Sequence, residues 1–361
     1  MLRAGLIGLP LTGKTTLLRL LSRQNGGTRS TGGRTTEPQV GVAQVPDPRL
    51  DVLTELFEPQ RHVPATMEVS ELAGYGGAKS LLDVSEFRNA DALLHVLRMF
   101  RDEHVPHTAG NVDPVRDMRQ MEDELILADL AVSERRVERI RQEQKKGKSR
   151  KLSEEARVID QCRSALEEGR PLRTLTLDAE GSKHLRGFSF LSAKPLLVVL
   201  NLDESDVSDP DDAVERAGLN EMLAGDAIET VPICAKIELE ITELPAADCA
   251  AFLDDLGLTD SGLDRVIRAS YRLLGYISFF TVGEDECRAW SVPRGTSAQD
   301  AAGEIHSDIA RGFIRAEVVP YDALTARGGS HTACREHGEV RLEGKDYKVD
   351  DGDVINFRFA V

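Results

Sequence analysis

Long apolar runs are missing from this 361-residue chain. The longest near its middle, Pro195–Leu202, falls far short of the roughly 20 residues that cross a bilayer, so no membrane partner is expected. The apolar N-terminus runs straight into Gly13-Lys14 without a small-residue cleavage site, and a signal peptide is not expected. Cysteine is scarce. Five are scattered from Cys162 to Cys334 without paired spacing, which suggests reduced thiols in a cytoplasmic protein. Positive charge is short as well: Lys+Arg 45 against Asp+Glu 61 leaves −16, which excludes a chain that coats nucleic acid over its whole surface. No DNA partner is expected, and any RNA contact must use a local patch. His331, Cys334 and His337 stand at three-residue spacing without a clear fourth ligand, so structural zinc is not expected. There is no internal repeat.

What is present is a phosphate loop. Gly8–Thr16, GLPLTGKTT, fits G-x-x-x-x-G-K-[ST] with Gly8, Gly13, Lys14 and Thr15 in the fixed places. Leu2–Ile7 reads as a buried strand before it and Thr15–Leu21 as a helix start after it. In that setting the amides from Leu11, Thr12, Gly13, Lys14, Thr15 and Thr16 face one concavity, where the helix dipole also favours negative charge. Lys14 would reach the β- and γ-phosphates and Thr15 would hold Mg²⁺ through its hydroxyl.

The length suggests about two to three domains. Asn25–Thr36 is a run of Gly, Thr and Arg without periodicity, read as a loop. In a nucleoside-triphosphate switch Thr35 or Thr36 would close over the metal there; a surface loop without ligand has the same composition. Gly41–Val45 and Thr66–Leu72 read as strands, the second ending in Glu71-Leu72-Ala73-Gly74, where such enzymes hold the magnesium shell with an Asp. Glu71 carries one more methylene, which moves its oxygens by about 1 Å or more. Ala92–Met99 is a further strand, followed by His104 and His107 in a polar loop. A loop histidine can be simply solvated; with a pKa near about 6.5 it can also be neutral and orient a water.

From Arg116 the pattern becomes helical, with Met118, Met121, Leu125, Ala128 and Val132 as the seam. A second helix, capped at Ser153, carries Val158, Ile159, Cys162 and Leu166 and stops at Gly169. Between them Lys145-Lys146-Gly147-Lys148-Ser149-Arg150-Lys151 makes a basic tip on an antiparallel hairpin, a place for phosphate contacts or a solvated turn. Leu196–Asn201 suits a central parallel strand and ends in Asn201-Leu202-Asp203-Glu204. Guanine-specific switches place Asn-Lys-x-Asp there; Leu202 and Glu204 replace its Lys and Asp, which weakens guanine selection. Ile228–Cys234 is the next strand and leads into Ala235-Lys236, a second loop near the base. The core is therefore α/β and doubly wound, interrupted by a helical insertion. After an amphipathic helix over Gly262–Leu274, five short strands and one helix near Ala298–Ile309 form a small α+β module.

Together these pieces resemble the YchF-type, or Obg-like ATPase, family of P-loop switch proteins. The similarity includes the Gly8 loop, Thr35-Thr36-Glu37-Pro38, Pro46-Asp47-Pro48-Arg49-Leu50, Ala73-Gly74, Val112-Asp113-Pro114, Asn201–Glu204 and Cys234–Glu238. At the C-terminus Gly312–Val318 and Arg341–Tyr347 look like the family's TGS domain, a β-grasp fold. The resemblance implies a P-loop nucleotide-binding domain in two parts, 1–114 and 188–277, a helical hairpin over 115–187 and a TGS domain over 278–361. It implies slow Mg²⁺-dependent hydrolysis of ATP in preference to GTP, with Asn201, the backbone at Leu202, Glu204 and Ala235 around the base. It also implies Thr15, Thr35 and Glu71 at the metal, Lys14 and His107 in catalysis, and association with ribosomes or RNA through the hairpin tip and TGS domain. Leu11 stands where the family has Asn, Glu71 where it has Asp, Arg34 in place of its switch cysteine, and Tyr75 begins a shortened second switch. These departures leave a nucleotide-gated adaptor without hydrolysis, and a GTPase, as alternatives.

Overall fold

A computed structural model of the chain describes residues 2–23, 39–71, 84–147, 149–185, 187–223, 225, 227–258 and 260–360. Arg34, Thr35, Thr36, Gly74, Tyr75 and Lys148 lie outside them. The strands are β1 (Leu2–Ile7), β2 (Gln39–Gln44), β3 (Arg61–Val63), β4 (Thr66–Glu71), β5 (Ala92–Arg98), β6 (Leu196–Asn201), β7 (Ile228–Ile233), β8 (Tyr276–Thr281), β9 (Glu286–Pro293), β10 (Phe313–Pro320), β11 (Arg341–Glu343) and β12 (Asp353–Phe359). They form two six-stranded sheets, in the orders β2-β4-β1-β5-β6-β7 and β11-β10-β12-β8-β9-β3. The chain divides into two compact units, one of residues 3–41 and 68–266, the other of 1–2, 42–67 and 267–361.

In the first unit β1, β5, β6 and β7 run parallel. Every residue of β5 and β6 is buried, as strands covered on both faces must be. The doubly wound α/β core expected from the sequence is present. On one face the first helix, α1 (Lys14–Arg23), packs with the helix Ala235–Glu243. The other face is covered by the start of a long helix whose Met118, Met121 and Leu125 pack on Leu93, Leu97 and Val198.

That long helix and its partner form the hairpin. Counting α2 (Pro48–Phe57) before it, α3 spans Pro114–Lys146 and α4 spans Arg150–Glu167. Asp113 accepts from the Arg116 N–H and Pro114 fills the first helical position, a start that satisfies an orphan amide with a preset φ. The cap of α4 is Ser149, which accepts from the Leu152 N–H, not Ser153; Ser153 lies inside the helix and donates to the Ser149 carbonyl. Gly169 at φ 72° ends α4, with the Arg170 N–H reaching back to the Ala165 carbonyl. Most of the basic tip is thus the last turn of α3 and the first of α4 rather than a loop. The helical seam also divides its work: its first half packs on the sheet, while Val137 and Ile140 pack against Val158, Ile159 and Cys162.

Buried ions tie the hairpin root to the core. Asp129, fully buried on α3, accepts from the Leu191 N–H (3.0 Å), the Ser192 N–H (2.7 Å) and the Ser192 hydroxyl (2.8 Å). Glu122 accepts twice from Arg173 Nη1, at 2.8 and 2.6 Å.

The second unit unites chain segments far apart in sequence. β3 pairs in parallel with β9, and α2 packs on β9 and on the helix Tyr321–Ala326. Arg49 bridges the segments, donating to both Asp47 oxygens (2.9 and 2.8 Å) and both Asp351 oxygens (3.1 Å each), its guanidinium over the Phe280 ring. Phe279, Val292, Ala301, Phe313, Val318 and Ile355 belong to its core. The helix expected over Ala298–Ile309 is two, Ala298–Ile305 and Ser307–Arg311, because His306 is extended (φ −163°, ψ 141°) and caps the second with its side chain. His331 and Cys334 lie on a short helix, His331–Glu336, with His337 as its C-cap, and Cys334 is buried.

Replacing Asp129 with Ala leaves two backbone N–H groups buried without acceptors. The expected cost is about 2–4 kcal/mol, seen as a lower urea midpoint at unchanged ligand conditions.

Candidate nucleotide site

The phosphate loop joins β1 to α1, and both of its glycines are required by geometry. Gly8 has φ 140°, and a Cβ there would lie 2.5 Å from the Val96 carbonyl; Gly13 has φ 102°, and a Cβ there would meet the Asn201 amide. Leu11 takes the left-handed conformation without being glycine, φ 64°, with its side chain half exposed. The Thr12 hydroxyl donates to the Leu9 carbonyl at 3.1 Å and the Leu17 N–H to the Gly13 carbonyl at 2.9 Å, so the helix starts within the loop. The amides of its first turn have no acceptor inside the helix.

Chemistry for phosphate and metal meets where β4 ends beside α1. Lys14 Nζ donates to the Leu9 carbonyl at 2.7 Å. Burial lowers its pKa to about 8, against the opposing pull of Glu71. The Thr15 hydroxyl donates to Glu71 Oε1 at 2.9 Å, while Glu71 Oε2 is buried with no hydrogen-bond partner. Burial raises the Glu71 carboxyl above the usual range, opposed by Thr15, Lys14 and Arg19. An orphaned carboxylate oxygen next to a threonine hydroxyl is a hard-oxygen pair that fits Mg²⁺.

At the other end Asn201 closes β6 and holds three loops. Its Nδ2 donates to the Thr12 carbonyl (3.0 Å), its Oδ1 accepts from the Ala235 N–H (3.0 Å), and its carbonyl accepts from Met99 N (2.9 Å) and Phe100 N (3.1 Å). The Leu202 N–H is taken by the Ile233 carbonyl at 2.7 Å. A cavity of about 560 Å³ opens beside them, lined among others by Gly13, Thr16, Phe100, Leu202, Glu204 and Lys236. Its size suits a purine nucleoside. Glu204 Oε2 accepts from Lys236 Nζ at 2.5 Å.

Arg98 was not singled out by the sequence, yet it shapes this cavity's wall. Buried at the end of β5, it donates to the carbonyls of Phe100 (3.1 Å) and Val105 (2.7 Å) and lies over the Phe100 ring at 4.3 Å. An arginine closing a strand whose only other polar residue is His95 was its one signal. His107 is not among the cavity-lining residues, and its side chain is only 5 % exposed. Its Nε2 faces Asp117 Oδ2 at 2.9 Å and its Nδ1 accepts from the Ala109 N–H at 3.1 Å, so both ring nitrogens are engaged. His104, by contrast, lines the cavity and is solvated.

Known proteins resemble this chain along its whole length. It is 41% identical over 366 residues to the ribosome-binding ATPase YchF of Bacillus subtilis, covering 100% of both chains. The chain belongs to the YchF family. The ribosome-binding ATPase YchF of Escherichia coli O157:H7 is 39% identical, with 99% of each chain covered. The solved YchF GTPase of Schizosaccharomyces pombe superposes with a TM-score of 0.86 at 27% identity, covering 99% of this chain and 97% of that one. Residues 276–360 match the family model YchF-GTPase_C, described as a protein of unknown function (DUF933). The expected family and fold class are thus shown, as a P-loop core with a C-terminal domain. Among the described residues no helix is long and apolar enough to cross a membrane.

The lowered Lys14 pKa sets a pH dependence of fixed sign. A Lys14 that holds phosphate, as the phosphate-loop pattern leads one to expect, does so charged, so triphosphate affinity should fall by up to about tenfold per pH unit above about 8. Stability of the free protein should move the other way. The unfolded chain keeps the Lys14 proton up to its ordinary pKa of 10.5, so this residue's contribution to stability rises with pH between about 8 and 10.5. Calorimetric titration and thermal melts across pH 7–10 check both slopes, with Lys14→Arg as the pH-insensitive control.

Proposed function

We propose that this chain is a slow, Mg²⁺-dependent ATPase, selective for ATP over GTP, whose nucleotide state governs association with ribosomes or RNA. The observation that carries the reading is the corner formed by Lys14, Thr15 and Glu71, where an ammonium, a hydroxyl and a buried carboxylate oxygen without a partner converge. Lys14 and the amides from Leu11 to Thr16 bind the phosphates, and Asn201, Leu202, Glu204 and Ala235 border the base. Thr15 and Glu71 would hold magnesium together with Thr35; when bound, the ion neutralises charge on the phosphate oxygens. The relatives' names, ribosome-binding ATPase, support both the reaction and the partner.

His107 is assigned the positioning of the attacking water. In the conformation described its ring faces Asp117, so the assignment requires the loop before α3 to turn His107 out of that contact. The same engagement favours a second reading, a nucleotide-gated adaptor that binds ATP without splitting it. The ribosomal or RNA contacts are assigned to the basic hairpin tip, at Lys145, Lys146, Lys148, Arg150 and Lys151, and to the C-terminal module, read as a TGS domain. On an acidic chain the tip is where phosphate contacts are least opposed.

Single-turnover phosphate release with ATP and Mg²⁺ tests the reading. Lys14→Ala should abolish binding, whereas His107→Ala should spare binding and slow release by about 10²-fold or more. Intact binding with no release by the unmutated chain would leave the adaptor; equal release from the His107 variant would remove that residue from the reaction.

A further inference from the structure

The base end of the cavity holds a carboxylate that is already occupied. Glu204 opens the short turn after β6 and Lys236 the first turn of the helix after β7. Their side chains are 46 % and 66 % exposed at the cavity mouth, and Lys236 Nζ sits 2.5 Å from Glu204 Oε2. The neighbouring carboxylate, Asp203, is drawn aside, accepting from the Arg101 N–H at 3.2 Å.

The two purines ask different things of this corner. Guanine presents two adjacent N–H donors, at N1 and N2, and is best met by a carboxylate with both oxygens free. Adenine presents an acceptor at N1 beside a donor at N6. A Glu204 carboxylate with one oxygen held by an ammonium can accept both guanine donors only by sharing that oxygen with the ammonium or turning away from it, which weakens the ion pair. It still offers one acceptor to an exocyclic amine, and the ammonium adds a donor beside it.

We propose that Lys236 is a specificity-determining residue: by holding Glu204 it masks the carboxylate from guanine and tilts the site toward adenine. The wrong base must weaken a contact that the right base leaves in place. The inference rests on the proposed function, since it explains the ATP selectivity assigned there.

Calorimetric titration of the intact chain with ATP and with GTP, in Mg²⁺, tests it on Lys236→Met, which keeps the aliphatic stem and removes the charge. The ratio of GTP to ATP affinity should rise about three- to fivefold, the scale on which an exposed ion pair competes. In a Glu204→Gln background the same substitution should leave the ratio unchanged, because the masked group is gone. Equal loss of both affinities, as from a cation that merely attracts phosphate, overturns the inference, and so does a shift that persists without Glu204. If the unmutated chain bound neither nucleotide, the proposed function itself would fall, and this inference with it. Intact ATP binding with a fixed ratio overturns the inference alone.

Discussion

The side chain of Asn201 is the fixed point of the nucleotide site. One amide at the end of a fully buried strand holds the phosphate loop through the Thr12 carbonyl and the loop after β7 through the Ala235 N–H. Its own carbonyl gathers the turn after β5 at Met99 and Phe100. Each partner is a backbone group, so these loops are placed relative to one another whatever side chains they carry. Because the residue is only 4 % exposed, water does not compete for those bonds. Gly13 completes the arrangement by leaving room for the amide, which no side chain at that position would allow.

Around that point the polar groups fall into two classes. Some are paired and serve as fasteners, even where one nitrogen is left over, as at Arg98 Nη1 and Arg173 Nη2: Asp129 under Leu191 and Ser192, Glu122 on Arg173, Arg98 across the Phe100–Val105 turn, Arg49 between Asp47 and Asp351. Others are buried and unfinished, as Glu71 Oε2 is. Leaving a carboxylate oxygen buried without a partner costs free energy that the fold must offset elsewhere, and such a cost persists where function needs the group. The root of the hairpin is fastened to the same sheet that carries Asn201. Any shift in the loop between β5 and α3, which ends in the cap at Asp113, therefore acts on the first turn of α3 directly, at Arg116 and Asp117.

Local signals were legible in the sequence. The phosphate loop announces itself because its glycines, lysine and threonine must stand at fixed offsets, and β6 because six consecutive apolar or strand-ending residues leave no polar face. The family and the α/β class followed from these and from the C-terminal segments. What was not legible depends on partners far along the chain. Val42–Met67 folds with the C-terminal segment through β3 on β9 and through Arg49, and nothing in its own composition says so. Ser149 and Ser153 both precede Val158 and Ile159 of α4, and the earlier one caps, accepting from the Leu152 N–H. His107 reads as a solvated loop residue until Asp117, buried one turn into α3, supplies its partner. The occupation of Glu204 by Lys236 likewise follows only from the meeting of two loops.

Function therefore depends on whether the loops fixed by Asn201 form a working triphosphate site. Calorimetric titration of the intact chain with ATP in Mg²⁺, beside Asn201→Ala, measures this most directly. The unmutated chain should bind saturably and the variant about tenfold or more weakly, since losing the staple costs two hydrogen bonds to backbone groups. No measurable affinity in the unmutated chain, or equal affinity in the variant, would contradict this role of Asn201.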